Sequence, residues 1–131
     1  MTQENKDLLL KDLCARLPYG VKVESVFINL DTKEHKSCGI EVFDATSLLM
    51  IRDGLGEFKP YLFPLSSMTE EQHKEFYDKY CWNDGGDNFE MDSCSHYYAL
   101  EKFDWLNANH FDYRGLIKKG LAIDATSKNI Y

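Results

Sequence analysis

The sequence predicts an α+β domain with an N-terminal helix, a curled antiparallel meander of about four strands, and two to three C-terminal helices packed on it. Apolar residues fall at helical spacing before residue 18, alternate with a period of two from residue 21, and return to helical spacing after residue 69. A chain of 131 residues suits a single domain, 1–131. We divide it into a helix (1–20), a β-meander (21–64), a helical part (65–122) and a tail (123–131).

The first helix is predicted over residues 3–17, where leucines recur every four residues. These leucines are Leu9, Leu13 and Leu17. The charged residues of the same stretch, including Asp12 and Arg16, are assigned to a solvent-facing side. Pro18 then ends the helix, because the residue before a proline disfavours the helical conformation.

The first strand is predicted over residues 21–28, where the apolar side chains alternate. The next segment, 29–37, is polar and is expected to form a turn. Two further strands are predicted at 38–44 and 47–52, separated by a short turn.

A fourth strand is predicted over 57–63. Gly54 and Gly56 precede it and favour a tight turn, because glycine readily adopts positive φ. Pro60 lies within this strand and has no N–H to donate, so we expect the strand at an edge or at a bulge. The strands together would form a meander that curls strongly or closes into a barrel.

The second helix is expected to begin after Thr69. Gln72 follows three residues later, and this spacing is typical of a capping box in which each side chain accepts from the other residue's backbone N–H. A third helix is predicted over residues 95–108, where apolar side chains again fall on one face.

A short fourth helix is predicted over 113–119, with Asp112 as its N-cap. Gly120 is expected to stop it, and Leu121 to make the apolar contact that follows such a stop. The tail after residue 123 is polar, and we expect it to fray.

The charge balance is acidic, with 15 Lys+Arg against 22 Asp+Glu and a net charge of -7. Nucleic-acid binders normally present a basic face, so we expect no nucleic-acid partner. The sequence has no apolar run near the roughly 18 residues of a membrane span and no basic start typical of a signal peptide. We therefore expect a cytoplasmic protein without membrane contact.

The cysteine and histidine pattern predicts no metal and no cofactor. The cysteines are Cys14, Cys38, Cys81 and Cys94, and we expect reduced, mostly buried thiols together with solvated histidines. Cys94 and His96 form one close pair, but a structural zinc site usually brings a second. The loop 82–94 is rich in acidic residues, yet its spacing does not match a calcium-binding loop, so we interpret it as solvated.

The sequence contains neither a G-x-S-x-G motif nor a phosphate-binding loop, so we do not expect an enzyme. Aromatic residues concentrate in the second half, and we interpret most of them as packing helices against the sheet. Polar residues near this cluster are the candidate ligand-binding residues. They are Lys59, Tyr61, Asn107, His110, Tyr113 and Arg114.

Three segments carry a family resemblance: LLLKDLCARLPYGVKV, PYLFPLSSMTEEQ and DWLNANHFDYRGLIKKGLA. Together they resemble an uncharacterised family of small proteins common in Bacteroides-type gut bacteria and their prophages and mobile elements. The resemblance covers most of the chain apart from 82–94. It implies a bacterial or phage origin and a cytoplasmic location, and it implies no activity.

Two functions remain open at this point. The first is a non-catalytic interaction protein of a phage or mobile element, which binds a protein partner. The alternative is a small-ligand binding protein, for a ligand such as a nucleotide, with aromatic walls and with Arg114 or Lys59 contacting an anion.

Overall fold

The computed structural model describes residues 2–80 and 99–131. Its helices are α1 (Gln3–Arg16), α2 (Ala45–Arg52), α3 (Glu70–Tyr80) and α4 (Ala99–Ala108). Its strands are β1 (Lys22–Ile28), β2 (His35–Val42), β3 (Gly56–Pro64), β4 (Phe111–Asp112) and β5 (Ile123–Asp124). Short 3₁₀ turns lie at Leu17–Tyr19 and Leu65–Ser67. The predicted α+β class with an N-terminal helix is confirmed.

The sheet is mixed rather than an antiparallel meander. Its strand order is β2-β1-β3-β4, and β5 also pairs with β3. The pairs β1–β2 and β1–β3 are antiparallel, whereas β4 and β5 run parallel to the last four residues of β3. β1 therefore lies between the two strands that follow it in sequence, and the predicted strand order is wrong.

Pro60 lies in an internal strand, so the predicted edge position is wrong. It is fully buried and is the last β3 residue paired with β1, opposite Val23. The N–H of Ile28 donates to Leu55 at 2.8 Å, and hydrogen-bonded pairs alternate along an antiparallel ladder. By that alternation the Val23–Pro60 pair exchanges no backbone hydrogen bonds, so the missing N–H costs the β1 ladder nothing.

The segment predicted as a strand at 47–52 is the helix α2. Asp44 accepts from the N–H of Ser47 at 3.0 Å, and the Ser47 hydroxyl accepts from the N–H of Asp44 at 3.2 Å. This capping box fixes the first turn of a helix, and it outweighs the strand preference of the apolar run that follows.

The core formed by the described residues has two parts. The first packs α1 against the sheet and the C-terminal turn, and its buried residues are Leu9, Leu13, Val21, Val23, Phe43, Phe58, Leu62, Leu116, Leu121 and Ala122. The second is aromatic and lies at α3, α4 and β4, around Phe76, Leu106 and Phe111. Trp105 stacks on Phe111 with ring centroids 5.8 Å apart. These contacts agree with the interpretation of the aromatic residues as packing between helices and sheet.

The predicted start of the second helix is confirmed at α3. The Thr69 hydroxyl accepts from the N–H of Gln72 at 3.1 Å, and the Gln72 side-chain oxygen accepts from the N–H of Thr69 at 3.0 Å. The predicted third helix, 95–108, is confirmed from residue 99 onward as α4. Its predicted start and the acidic loop 82–94 lie outside the described residues.

The predicted fourth helix at 113–119 is not formed, and residues 116–120 make a hydrogen-bonded turn. The Asp112 carboxylate accepts from the N–H groups of Leu116 and Ile117, both at 2.9 Å, so it holds the turn but is not the predicted N-cap, because a cap accepts from residues two or three positions on. The stop signal acts as expected. Gly120 follows with φ +74°, and the N–H of Leu121 returns to Leu116 at 2.9 Å.

The tail is held in place, so the predicted fraying is wrong. Residues Ile123–Asp124 form β5 against β3. The Tyr131 hydroxyl accepts from the N–H of Lys22 at 2.8 Å and donates to the main-chain oxygen of Tyr61 at 2.9 Å. These two bonds join the last described residue to both β1 and β3.

Two further expectations concern membrane crossing and the burial of the cysteines. In the part of the chain that the structure describes, no helix has the length and apolar character needed to cross a membrane. Cys14 and Cys38 are exposed free thiols, so the predicted burial is wrong for both. Cys81 and Cys94 lie outside the described residues.

Candidate functional site

Three of the six predicted site residues line one groove between α1 and α4. The groove has a volume of about 460 Å³, and its lining residues are Lys11, Ala15, Phe103, Asn107, Tyr113 and Arg114. Tyr61, His110 and Lys59 do not line it. The structure therefore brings together only half of the residues that the sequence predicted as one site. Lys59 and Tyr61 lie on β3, and His110 lies between α4 and β4.

Helical spacing explains the two walls. Lys11 and Ala15 are four residues apart on α1, and Phe103 and Asn107 are four apart on α4, so each pair lies on one helix face. Tyr113 closes the groove from the segment after β4.

The aromatic wall is held in a fixed orientation. The rings of Phe103 and Tyr113 have centroids 5.0 Å apart and are inclined by 44°. The Tyr113 hydroxyl donates to Asn107 Oδ1 at 2.9 Å. Two guanidinium groups, those of Arg16 and Arg114, lie 5.2 and 4.7 Å from the Tyr113 ring centroid. Such cation–π contacts restrain the ring.

A buried ion pair lies behind this wall. Arg16 Nε donates to Asp12 Oδ2 at 2.8 Å, and both side chains are fully buried. Arg114 Nη1 lies 3.7 Å from the other Asp12 oxygen. Within residues 2–80 and 99–131, neither Asp12 Oδ1 nor Arg16 Nη1 makes a hydrogen bond. Burial raises the pKa of Asp12, although Arg16 acts in the opposite direction.

His110 stacks on Tyr131 with ring centroids 3.7 Å apart and an inclination of 11°. Burial, with smaller contributions from Arg16 and Lys22, lowers the pKa of His110 to about 4. Its Nδ1 is buried and makes no hydrogen bond to the described residues. The expectation of solvated histidines is therefore wrong for His110, which is a neutral packing residue at neutral pH.

Lys59 and Tyr61 lie on β3. Lys59 is exposed and pairs across the ladder with Glu24. Tyr61 is buried, and burial raises the pKa of its hydroxyl. Its main-chain oxygen accepts from Tyr131.

Sequence reasoning missed Lys11, Ala15 and Phe103 as groove residues. Their helical spacing was visible, but the pairing of α1 with α4 is a tertiary contact without a local signal. The i,i+4 pair Asp12 and Arg16 was also visible, and its burial was not.

A second candidate surface is the edge strand β2. All eight of its residues are exposed, and among the described residues it pairs with β1 alone. Ile40 and Val42 have 54% and 52% of their surface exposed, which is unusual for strand residues of this size.

The His, Cys, Asp and Glu side chains of residues 2–80 and 99–131 form no metal site, since no three of them lie close enough together to hold an ion. The predicted pair Cys94 and His96 lies outside these ranges.

Comparisons with protein-family models, with curated proteins and with solved structures gave no match.

Proposed function

We propose that this chain is a non-catalytic interaction protein that binds an extended segment of a protein partner along the free edge of β2. One observation carries the proposal: β2 is exposed at all eight positions and, in the described part of the chain, is paired on one side only. An unpaired strand edge presents a row of N–H and C=O groups to which a further strand can add.

The backbone pattern identifies which groups face outward. The N–H of Phe43 donates to Val21 at 2.9 Å, so alternate pairs along this ladder exchange hydrogen bonds. Counting along the register, Glu41 bonds to Val23, whereas Ile40 and Val42 direct their N–H and C=O groups away from β1. The outward groups are therefore those of Ile40 and Val42.

The same two residues present apolar side chains. Ile40 lies opposite Glu24 and Val42 opposite Lys22, so both are on the same face of the sheet. A partner strand could therefore gain backbone hydrogen bonds and apolar contact from the same two positions.

A bulge limits the length of this edge. Ser37 and Gly39 pair with consecutive residues of β1, which leaves Cys38 without a partner in the ladder. Bulges protect edges from indiscriminate pairing. The docking segment is therefore Gly39–Val42. Because so short a segment offers few backbone hydrogen bonds, we expect the side chains of the partner strand to determine which partner binds.

The strongly shifted pKa values of His110 and Tyr131 have a packing origin. The two rings stack on each other, and burial is the main cause of both pKa shifts, which fits a role without catalysis. A cytoplasmic location and a phage or mobile-element setting rest on the sequence resemblance and stay predictions.

The test is a pull-down with the tagged protein from a Bacteroides lysate, followed by binding of the purified partner. Ile40→Pro removes an outward N–H without removing a hydrogen bond to β1, and proline is tolerated at such edge positions. Leu49→Thr is the control, because Leu49 is a similarly exposed apolar residue (49%) on α2.

We expect a partner that binds the native chain and Leu49→Thr and is lost with Ile40→Pro. A lysate that yields no partner, or a partner retained by Ile40→Pro, would contradict the proposal.

A further inference from the structure

We propose that the groove between α1 and α4 binds a small molecule that combines a flat ring with an anionic group, phosphate or carboxylate, and has about the size of a mononucleotide. The inference goes beyond binding at β2, because the groove uses none of the β2 residues. Three features of the groove residues support it: their positive charge, their aromatic wall, and N–H donors that are not fully used in hydrogen bonds.

The charge of the groove favours an anion. Among the described residues, its lining includes Lys11 and Arg114 and no acidic residue. A second hollow of about 340 Å³ lies along another face of α4, and its lining includes Glu101 and Asp104. The whole chain has a net charge of -7. Positive lining in an acidic protein is a local feature, and it would concentrate anions at this groove.

The aromatic wall favours a flat ring. Phe103 and Tyr113 stand side by side, and the groove volume of about 460 Å³ falls in the ordinary range for small-ligand sites. A flat heterocycle can stack on an aromatic side chain such as Phe or Tyr, because both rings present a π-face.

The side chains of Asn107 and Arg114 are held in place at the groove and still have N–H groups that can donate hydrogen bonds to a ligand. Asn107 Oδ1 accepts from the Tyr113 hydroxyl, which leaves its amide N–H₂ as a donor. Arg114 uses Nη1 both for its 3.4 Å contact with the Tyr113 hydroxyl and for its 3.7 Å approach to Asp12. Its remaining N–H groups can bind an anion.

Asp12 sets the position of Arg114. Asp12 Oδ1 is fully buried and has no hydrogen bond within the described residues, and Arg114 is the cation nearest to it after Arg16. The attraction of Asp12 therefore holds Arg114 at the groove. Because the 3.7 Å between Arg114 Nη1 and Asp12 Oδ1 is too long for a hydrogen bond, the guanidinium can still turn toward a ligand.

Four probes separate the parts of this ligand: AMP, 4-hydroxybenzoate, adenosine and inorganic phosphate, each titrated by calorimetry. We expect AMP or 4-hydroxybenzoate to bind with a Kd below about 1 mM. Adenosine and inorganic phosphate should each bind at least about tenfold more weakly.

Two variants place the binding in the groove. Lys11→Gln changes an exposed residue at the rim, and Phe103→Leu removes half of the aromatic wall; each should weaken binding about 5- to 10-fold. Lys6→Gln is the control, because Lys6 is an exposed lysine of α1 outside the groove lining. Its affinity should equal that of the native chain.

Three results would overturn the proposal. They are a Kd above about 1 mM for both ring-bearing anions, equal affinity for adenosine or inorganic phosphate, and unchanged affinity in Lys11→Gln. Because Lys11 is exposed, its variant folds as the native chain does, and the affinity measurement decides the question.

Discussion

The guanidinium of Arg16 donates to the carboxylate of Asp12 at 2.8 Å, and neither side chain has any exposed surface. Arg16 Nη2 also donates to the main-chain oxygen of Phe111 at 2.6 Å. The pair thus links α1 to β4, and through β4 to the aromatic core. Without water to solvate them, each of the two charges depends on the other.

Arg16→Met is expected to lower the free energy of unfolding by about 3–5 kcal/mol, because Asp12 would be left buried without its partner. Urea denaturation followed by circular dichroism measures the loss. Lys11→Met, at the exposed neighbouring position, is the control and should change the free energy by less than about 0.5 kcal/mol.

The double variant Asp12→Leu/Arg16→Met separates the pair from its surroundings. Replacing both charges with apolar side chains leaves neither unpaired, so the double variant should lose less than the two single variants combined. A loss equal to their sum would mean that the two side chains stabilise the fold independently.

The stability is expected to fall as the pH drops from 6.5 toward 4, because of His110. Its pKa is lowered from 6.5 to about 4, chiefly by burial. In this window the unfolded chain binds a proton that the folded chain does not, so acid favours unfolding. Because His110 is only partly buried, solvent screening reduces the stability that this shift represents to about 1–2 kcal/mol, which is lost in full below about pH 4.

His110→Asn tests the source of this pH dependence. His110 has φ +62°, a conformation that asparagine tolerates, and the amide does not titrate. Urea midpoints between about pH 7 and pH 4.5 should decline less steeply in the variant. An equal slope in both proteins would assign the pH dependence to other groups.

Local signals predicted the segments in which neighbouring residues decide the structure. Thr69 and Gln72 lie three residues apart and cap α3, and Gly120 stops the last turn, as expected. The same kind of signal lies at Asp44 and Ser47, where the capping box outweighs an apolar run that favours a strand. At these two helix starts, the capping residues are therefore a better predictor than the apolar pattern.

Long-range contacts could not be predicted in this way. Lys11 and Phe103 line one groove, yet each lies in a helix whose partner is unknown from the sequence. Tyr131 lies in a polar tail, and nothing near it indicates that its ring stacks on His110. The candidate site was found in part because Asn107, Tyr113 and the aromatic residues are close in sequence.

Thr69→Ala is expected to cost about 1 kcal/mol, because the N–H of Gln72 loses its acceptor at the start of α3. Thermal and urea unfolding measure the cost. Ser66→Ala is the matched control, because Ser66 is an exposed hydroxyl residue in the preceding 3₁₀ turn. Equal effects of the two changes would argue against a stabilising cap.

Tyr131→Phe is expected to cost about 1–2 kcal/mol, although the residue is 44% exposed. Its hydroxyl joins the N–H of Lys22 to the main-chain oxygen of Tyr61, and phenylalanine leaves both without this partner. The ring and its stacking on His110 remain, so the loss measures the hydroxyl alone. Urea denaturation gives the free energy, and amide hydrogen exchange at Lys22 should accelerate.

Tyr131→Leu then separates the ring from the hydroxyl. It removes both, so it should cost at least about 0.5–1.5 kcal/mol more than Tyr131→Phe, because the ring contacts with His110, Phe63 and Lys22 are lost together. If phenylalanine at this position left the unfolding free energy and the Lys22 exchange rate unchanged, water would be replacing the hydroxyl. The tail would then be held by ring packing and β5 pairing rather than by the two hydrogen bonds.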